Sequence, residues 1–277
     1  MPEIRLSDAT LWSVLQGQGP VVVFCHGGPG LWDHFEFLAE LLQQDFTVIR
    51  YDQRGCGWSS GEGPYTLQQA LEDLEAVREF WKVDRWSVVG HSFGADLALA
   101  YASTFPQRVQ KLVYLCGAGT HPGWHEAYRL ERNRRLGSQG IQKLQDLKNK
   151  WQQDPSVEPE YCRWAWSTDF ADQECGLELA GSLLREGVHI NRQANAELSR
   201  DTNQRLQQLP LESIQVPTWV LHGSEDPRPA WSAEQLALSI PHAHWRLIPG
   251  VGHMPWLEDL QGTTDLLRHA LRDSEPA

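Results

Sequence analysis

Gly90-His91-Ser92-Phe93-Gly94 stands between two runs of opposite character, and that junction limits the possible folds more than any other stretch of the chain. Ahead of it, Trp86-Ser87-Val88-Val89 is short, apolar and β-branched, the pattern of a buried strand. Behind it, Ala95-Asp96-Leu97-Ala98-Leu99-Ala100-Tyr101-Ala102 is built from good helix formers. A G-x-S-x-G string at a strand-to-helix corner is the mark of a nucleophile elbow. The chain reverses within a few residues, so a Cβ at position 90 or 94 would collide with neighbouring backbone, and the serine is held in a strained conformation. Ser92 is therefore expected above a sheet, beside the first N–H groups of a helix.

Strand and helix patterns alternate on both sides of this corner. Val21 to Cys25 is a continuous apolar run ending at His26-Gly27-Gly28-Pro29-Gly30, and Leu31 to Gln43 follows with helical spacing. Phe46 to Tyr51 predicts the next strand and Thr66 to Lys82 the next helix, with Leu67, Leu71, Leu74 and Val77 on one face. After the elbow comes a strand at Lys111 to Cys116. Strand patterns return at Val216 to His222 and His244 to Ile248, with helices at Ala230 to Ser239 and Asp259 to Arg272. Apolar runs separated by helices imply a mostly parallel sheet covered on both faces, an α/β fold. Between His121 and about Leu211 no β-run occurs. The expected organisation is a core of residues 1–119 and 212–277 with a helical cap at 120–211. In open α/β sheets ligands bind at the carboxyl edge of the strands, where such an insertion would form a lid.

The bulk properties narrow the function. The 277 residues carry a formal charge of −12, which argues against nucleic acid or an anionic membrane surface as partner. There is no signal-like N-terminus and no apolar run of membrane-spanning length. The five cysteines are odd in number and form no C-x-x-C pair, and Cys25 and Cys116 lie in strand-like runs, which predicts buried free thiols and a cytoplasmic setting. His242-Ala243-His244 offers two imidazoles without a third ligand, and Gly55-Cys56-Gly57 lacks the last glycine of a dinucleotide fingerprint. No metal and no cofactor are expected.

A serine hydroxyl needs a base to take its proton, and the base needs a third group to hold its tautomer. In a sheet of this kind the chain order is Ser, then acid, then His. Asp226 follows the strand Thr218 to Leu221, with Glu225 as the competing carboxylate, and His253 follows the strand ending at Ile248. Ser92, Asp226 and His253 are thus the expected nucleophile, orienting carboxylate and general base. The N–H groups of Phe93 and Gly28 are the expected oxyanion hole. Trp124, Trp151, Trp164 and Trp166 lie in the insertion as candidates for an apolar pocket.

The strings His26-Gly27-Gly28-Pro29-Gly30 and Asp52-Gln53-Arg54-Gly55-Cys56-Gly57-Trp58-Ser59, with the elbow at Ser92, resemble the proline iminopeptidase (prolyl aminopeptidase) branch of the α/β-hydrolases. The resemblance implies an eight-stranded core, a helical cap, no metal, and removal of N-terminal residues, often proline, from short peptides. It also implies cap glutamates that bind the substrate ammonium. Glu178, Glu186 and Glu197 are available for that role, with Trp164 as a neighbouring substrate contact, but none stands in a matching motif. The elbow departs from the family's usual G-G-S-W-G, and His91 and Phe93 are commoner in esterases. A carboxylesterase or lactonase acting on small esters is the alternative expectation, and a non-catalytic ligand-binding relative the third.

Overall fold

The computed structural model describes residues 3–272. Eight strands form one sheet in the order β1-β2-β4-β3-β5-β6-β7-β8. They are β1 (Glu3–Arg5), β2 (Thr10–Gln16), β3 (Val21–Cys25), β4 (Thr47–Tyr51), β5 (Trp86–His91), β6 (Val109–Leu115), β7 (Thr218–Gly223) and β8 (His244–Ile248). From β4 to β8 all neighbours are parallel. Only β1 and β2 run antiparallel at one edge, with Ser13 facing Tyr51 and Leu15 facing Ile49. These two strands are absent from the expectations above. Their residues are half exposed in alternation, so they lack the continuous apolar run that marks β3 or β5.

Side chains of the parallel strands divide between two cores, as a period of two requires. Val23, Val88, Leu112 and Val220 face a layer that includes Leu71 and Leu74 of α2 (Leu67–Phe80). Val22, Val89, Val113 and Leu221 face the other, with Leu38 of α1 (Glu36–Leu42) and a late-chain helix contributing Leu267. Helix α1 is shorter than the periodicity of 31–43 suggests. Asp33 accepts the Phe35 N–H at 3.2 Å and gives its own N–H to Asp52 Oδ1 at 2.7 Å, and these local bonds compete with a helical turn.

The chain passes from β3 to β4 on one side and returns to β5 on the other, which opens a crevice at the carboxyl ends of β3 and β5. Helix α3 (Phe93–Thr104) starts there. The segment between β6 and β7 is helical throughout: α4 (Trp124–Trp151), α5 (Glu158–Trp166), α6 (Gly176–Ser182) and α7 (Arg192–Leu206). Helix α4 is broken at Gly137, where φ is 60° and ψ is 178°. Helices α8 (Ala230–Ser239), α9 (Pro255–Glu258) and α10 (Leu260–Arg272) complete the core. No helix among the described residues is long and apolar enough to cross a membrane.

Candidate active site

Ser92 caps α3 with φ 56° and ψ −124°, a conformation L-residues avoid. The elbow leaves no choice. A Cβ on Gly90 would lie 2.0 Å from the Gly94 carbonyl, and one on Gly94 would lie 2.0 Å from the Cys25 carbonyl. The Ser92 N–H is fixed by donation to Leu115 O at 3.0 Å. Phe93 is the first helical residue, so its N–H has no carbonyl within the helix to bond.

The loop after β3 is clamped from two directions. From the core, Gln53 N–H donates to His26 Nε2 at 3.0 Å and Gln53 Nε2 to the His26 carbonyl at 2.8 Å. Asp52 and Arg54, in the same D-Q-R-G string, bond Trp58 N–H at 2.8 Å and Asp73 at 2.9 and 2.7 Å. From the insertion, Asn195 Nδ2 donates to Pro29 O at 2.7 Å and Asn191 N–H to Gly30 O at 2.9 Å. Gly28, with φ 132°, is held beside Ser92 by these contacts.

On the loops after β7 and β8, His253 Nδ1–H donates to Asp226 Oδ2 at 2.6 Å. Both residues are buried, whereas Glu225 is exposed. The bond leaves Nε2 of His253 as the acceptor nitrogen, the tautomer a general base requires. Asp226 Oδ1 accepts the Arg228 backbone N–H at 2.8 Å, and the Arg228 guanidinium lies 3.4 Å away. Burial alone would raise the Asp226 carboxyl, but His253, His222 and Arg228 together hold it well below the usual carboxylate range. The backbone of His253 is tied on both sides. Its N–H donates to Asp169 O at 2.6 Å, and its carbonyl accepts His91 Nε2–H at 2.8 Å. His91 Nδ1 in turn accepts His34 Nε2–H at 3.3 Å, and His34 stacks on Trp256 at 5.5 Å. Burial and the neighbouring His253 and His34 rings push His91 well down, so this relay of rings is neutral.

Two hollows open beside Ser92 and share Gly28, Ser92, Tyr128 and Arg228 in their walls. One, of about 180 Å³, adds His253, His91, Leu31, Trp166 and Met254. The other, of about 230 Å³, adds Phe93, Asp96, Trp124, Ser199 and Asn203. Helices α4, α5 and α7 of the insertion thus roof the serine. The glutamates considered as cap ligands lie elsewhere. Glu178 and Trp164 border a separate surface hollow with Glu160 and Arg163, Glu186 is exposed, and Glu197 accepts from Gln193 at 2.9 Å.

Three residues at the site carried no signal in the sequence. Arg228 donates to Asp169 at 2.9 Å and lies over the Tyr128 ring at 4.6 Å. Asp169 reaches the site from the insertion, far from any motif. Asp96 was hidden in a run of helix formers, in the first turn of the helix that Ser92 caps. Cys116, Asp226 and His253 are near enough to share an ion, all within 4.8 Å. Burial pushes the Cys116 thiol well above its ordinary range, which keeps it protonated and a poor ligand. His244 is stacked on Trp219 at 4.5 Å and belongs to the packing of the sheet edge.

A family model described as alpha/beta hydrolase fold matches residues 20–260. The chain belongs to the α/β-hydrolase family. It is a hydrolase, and its sequence relatives sharpen the resemblance noted above. A proline iminopeptidase of Lactobacillus helveticus is 27% identical over 276 residues, covering 92% of this chain and 91% of that one. A putative proline iminopeptidase of Mycoplasma pneumoniae is 39% identical over 108 residues, 38% of this chain and 35% of that protein, so that match spans about a third of the relative. Among solved structures, a thermophilic esterase from Thermogutta terrifontis superposes with a TM-score of 0.76 at 21% identity, covering 98% of each chain. That likeness concerns the fold.

Proposed function

We propose that this hydrolase works through a Ser92–His253–Asp226 triad and an acyl-enzyme, and that it removes N-terminal residues from short peptides in the manner of a proline iminopeptidase. The observation that carries the triad is the buried 2.6 Å bond between His253 Nδ1 and Asp226, on the two loops beside a strained Ser92. In the reaction, Ser92 Oγ attacks the scissile carbonyl while His253 Nε2 takes its proton. The negative oxygen of the tetrahedral adduct is received by the Phe93 and Gly28 N–H groups. His253 then hands the proton to the leaving amine as the C–N bond breaks. Water, deprotonated by the same imidazole, cleaves the ester to Ser92 and releases the acid. Asp226 stays ionised throughout and steadies the imidazolium.

The peptidase half of the proposal is supported by the relatives and by the resemblance of two glycine-rich strings of this chain to that branch. An ester substrate is the competing reading, favoured by the apolar wall of Leu31, Trp166 and Met254. Hydrolysis of proline β-naphthylamide and p-nitrophenyl butyrate, measured side by side, separates the two. Amide turnover is expected. Fast ester turnover with no amide cleavage would remove the peptidase assignment and keep the triad. A wild-type protein that a fluorophosphonate probe fails to label, or a Ser92→Ala variant that keeps its activity, would remove both; the expected loss is on the order of 10⁶ in turnover.

A further inference from the structure

Asp96 is a carboxylate in a substrate cavity with nothing of opposite charge to meet it. It sits in the first turn of α3, its N–H 3.4 Å from the Ser92 carbonyl, and it forms part of the wall of the 230 Å³ hollow beside the serine. Tyr114 Oη donates to Asp96 Oδ1 at 2.7 Å and is itself fixed by the Gly119 N–H at 2.9 Å. Among the described residues no cation pairs with Asp96. Arg228, on the same hollow, is committed to Asp226 and Asp169. His125, the other basic group in the wall, is pushed down by burial and stays uncharged. Burial pushes the Asp96 carboxyl itself up to about 7, as befits a poorly solvated anion that lacks a counter-charge. Tyr114 satisfies one oxygen, but the charge itself has no counter-ion, and burying an uncompensated charge costs stability.

We propose that Asp96 is the counter-ion for the ammonium of the substrate, held one helical turn from the serine that attacks the neighbouring carbonyl. Asp96 lies in the first turn of the helix that Ser92 caps, and the two residues share the wall of one hollow, so a small substrate can meet both. Trp124 also lines the hollow and adds attraction for a cation, whereas the Tyr128 ring is already covered by Arg228. The substrate class is therefore a compound with a free primary or secondary amine next to its acyl carbon. The assignment deepens the aminopeptidase reading and rests on Ser92 marking the position of the scissile carbonyl.

Calorimetric titration of the full chain with L-prolinamide and with N-acetyl-L-prolinamide tests it without requiring turnover. L-prolinamide is expected to bind and its acetylated form to bind far more weakly. Asp96→Asn keeps an acceptor for Tyr114 and removes the charge, and is expected to weaken L-prolinamide by about 10- to 100-fold, the worth of one charge-assisted hydrogen bond. The affinity for N-acetyl-L-prolinamide should move by less than about threefold. Equal weakening of both ligands, or an unchanged L-prolinamide affinity in the variant, would overturn the assignment, as would a wild-type protein that does not prefer the free amine. Should Asp96→Asn fail to fold, Asp96→Ser removes the same charge and is judged by the same comparison. Charge-dependent L-prolinamide binding without cleavage of proline β-naphthylamide would uphold Asp96 while rejecting the peptidase.

Discussion

Arg228→Met is the substitution whose cost can be worked most directly from the structure. The guanidinium bridges two carboxylates, 2.9 Å from Asp169 and 3.4 Å from Asp226, and its side chain is only 15% exposed against 4% and 0% for its partners. Methionine fills much the same space over the Tyr128 ring but supplies no donor, so packing is largely kept while the charge is lost. Removing one member of a buried ion pair costs about 3–5 kcal/mol, because the partner is left without compensation. Asp226 keeps the His253 ring and the Arg228 backbone N–H as donors, so the lower end, about 3 kcal/mol at pH 7, is expected. For a chain of this size that corresponds to a fall in Tm of roughly 6–12 °C.

The pH dependence has a definite sign. Asp226 is held below its unfolded-state value, so its contribution is present above about pH 4 and fades as pH falls through the folded value. The deficit of the variant should therefore be constant between pH 8 and 5 and shrink below about pH 4. Urea unfolding across that range is the assay, with Arg228→Lys as the control that returns the charge without the planar fork. A deficit under about 1 kcal/mol at pH 7 would refute the reasoning, and so would a methionine variant no worse than the lysine one.

Three further outcomes are expected. Asp96→Asn should be more stable than the parent at pH 8, by about 1–3 kcal/mol, and equal to it near pH 4; wild-type Asp96 resists ionisation up to about pH 7 when folded but ionises near 4 when unfolded, so the parent loses stability across that interval. His125 and Arg228 face the same hollow and Tyr114 bonds Asp96 from within the core, and parallel denaturation curves at pH 4 and pH 8 check the sign. Gly94→Ala should abolish soluble protein or fluorophosphonate labelling, since its Cβ would sit 2.0 Å from the Cys25 carbonyl and neither backbone can yield; a normally labelled, fully stable variant would contradict the elbow geometry. Glu178→Gln and Glu186→Gln should leave kcat/KM for proline β-naphthylamide within about twofold, because neither lines the hollows at Ser92, and a tenfold fall in either would restore it as a substrate ligand.

The core was legible because its signals are local. Val21–Cys25 and Trp86–His91 are buried on both faces and read as unbroken apolar runs, and the elbow glycines are required by atoms within a few residues or in the adjoining strand. Chain order then placed an acid and an imidazole after β7 and β8. The short β1 and β2 escaped notice because one-sided exposure dilutes their pattern with polar residues. The insertion was legible as helix but not as surface. Which residues of α7 face the serine depends on how that helix leans on the loop at 28–30, through Asn191 and Asn195, and no periodicity records that. Asp169 and Arg228 meet across 59 positions of sequence, so their bond leaves no motif.

The bond from the His253 N–H to the Asp169 carbonyl joins the loop after β8 to the roof above it. Roof and His253 loop are consequently coupled: a graft that replaced residues 120–211 would keep that loop supported only if it returned a backbone carbonyl to the position of the Asp169 oxygen. Side-chain exchange on α4, α5 and α7 leaves that backbone bond untouched, so the walls of the hollows can change while the path of the chain at Asp169 stays fixed.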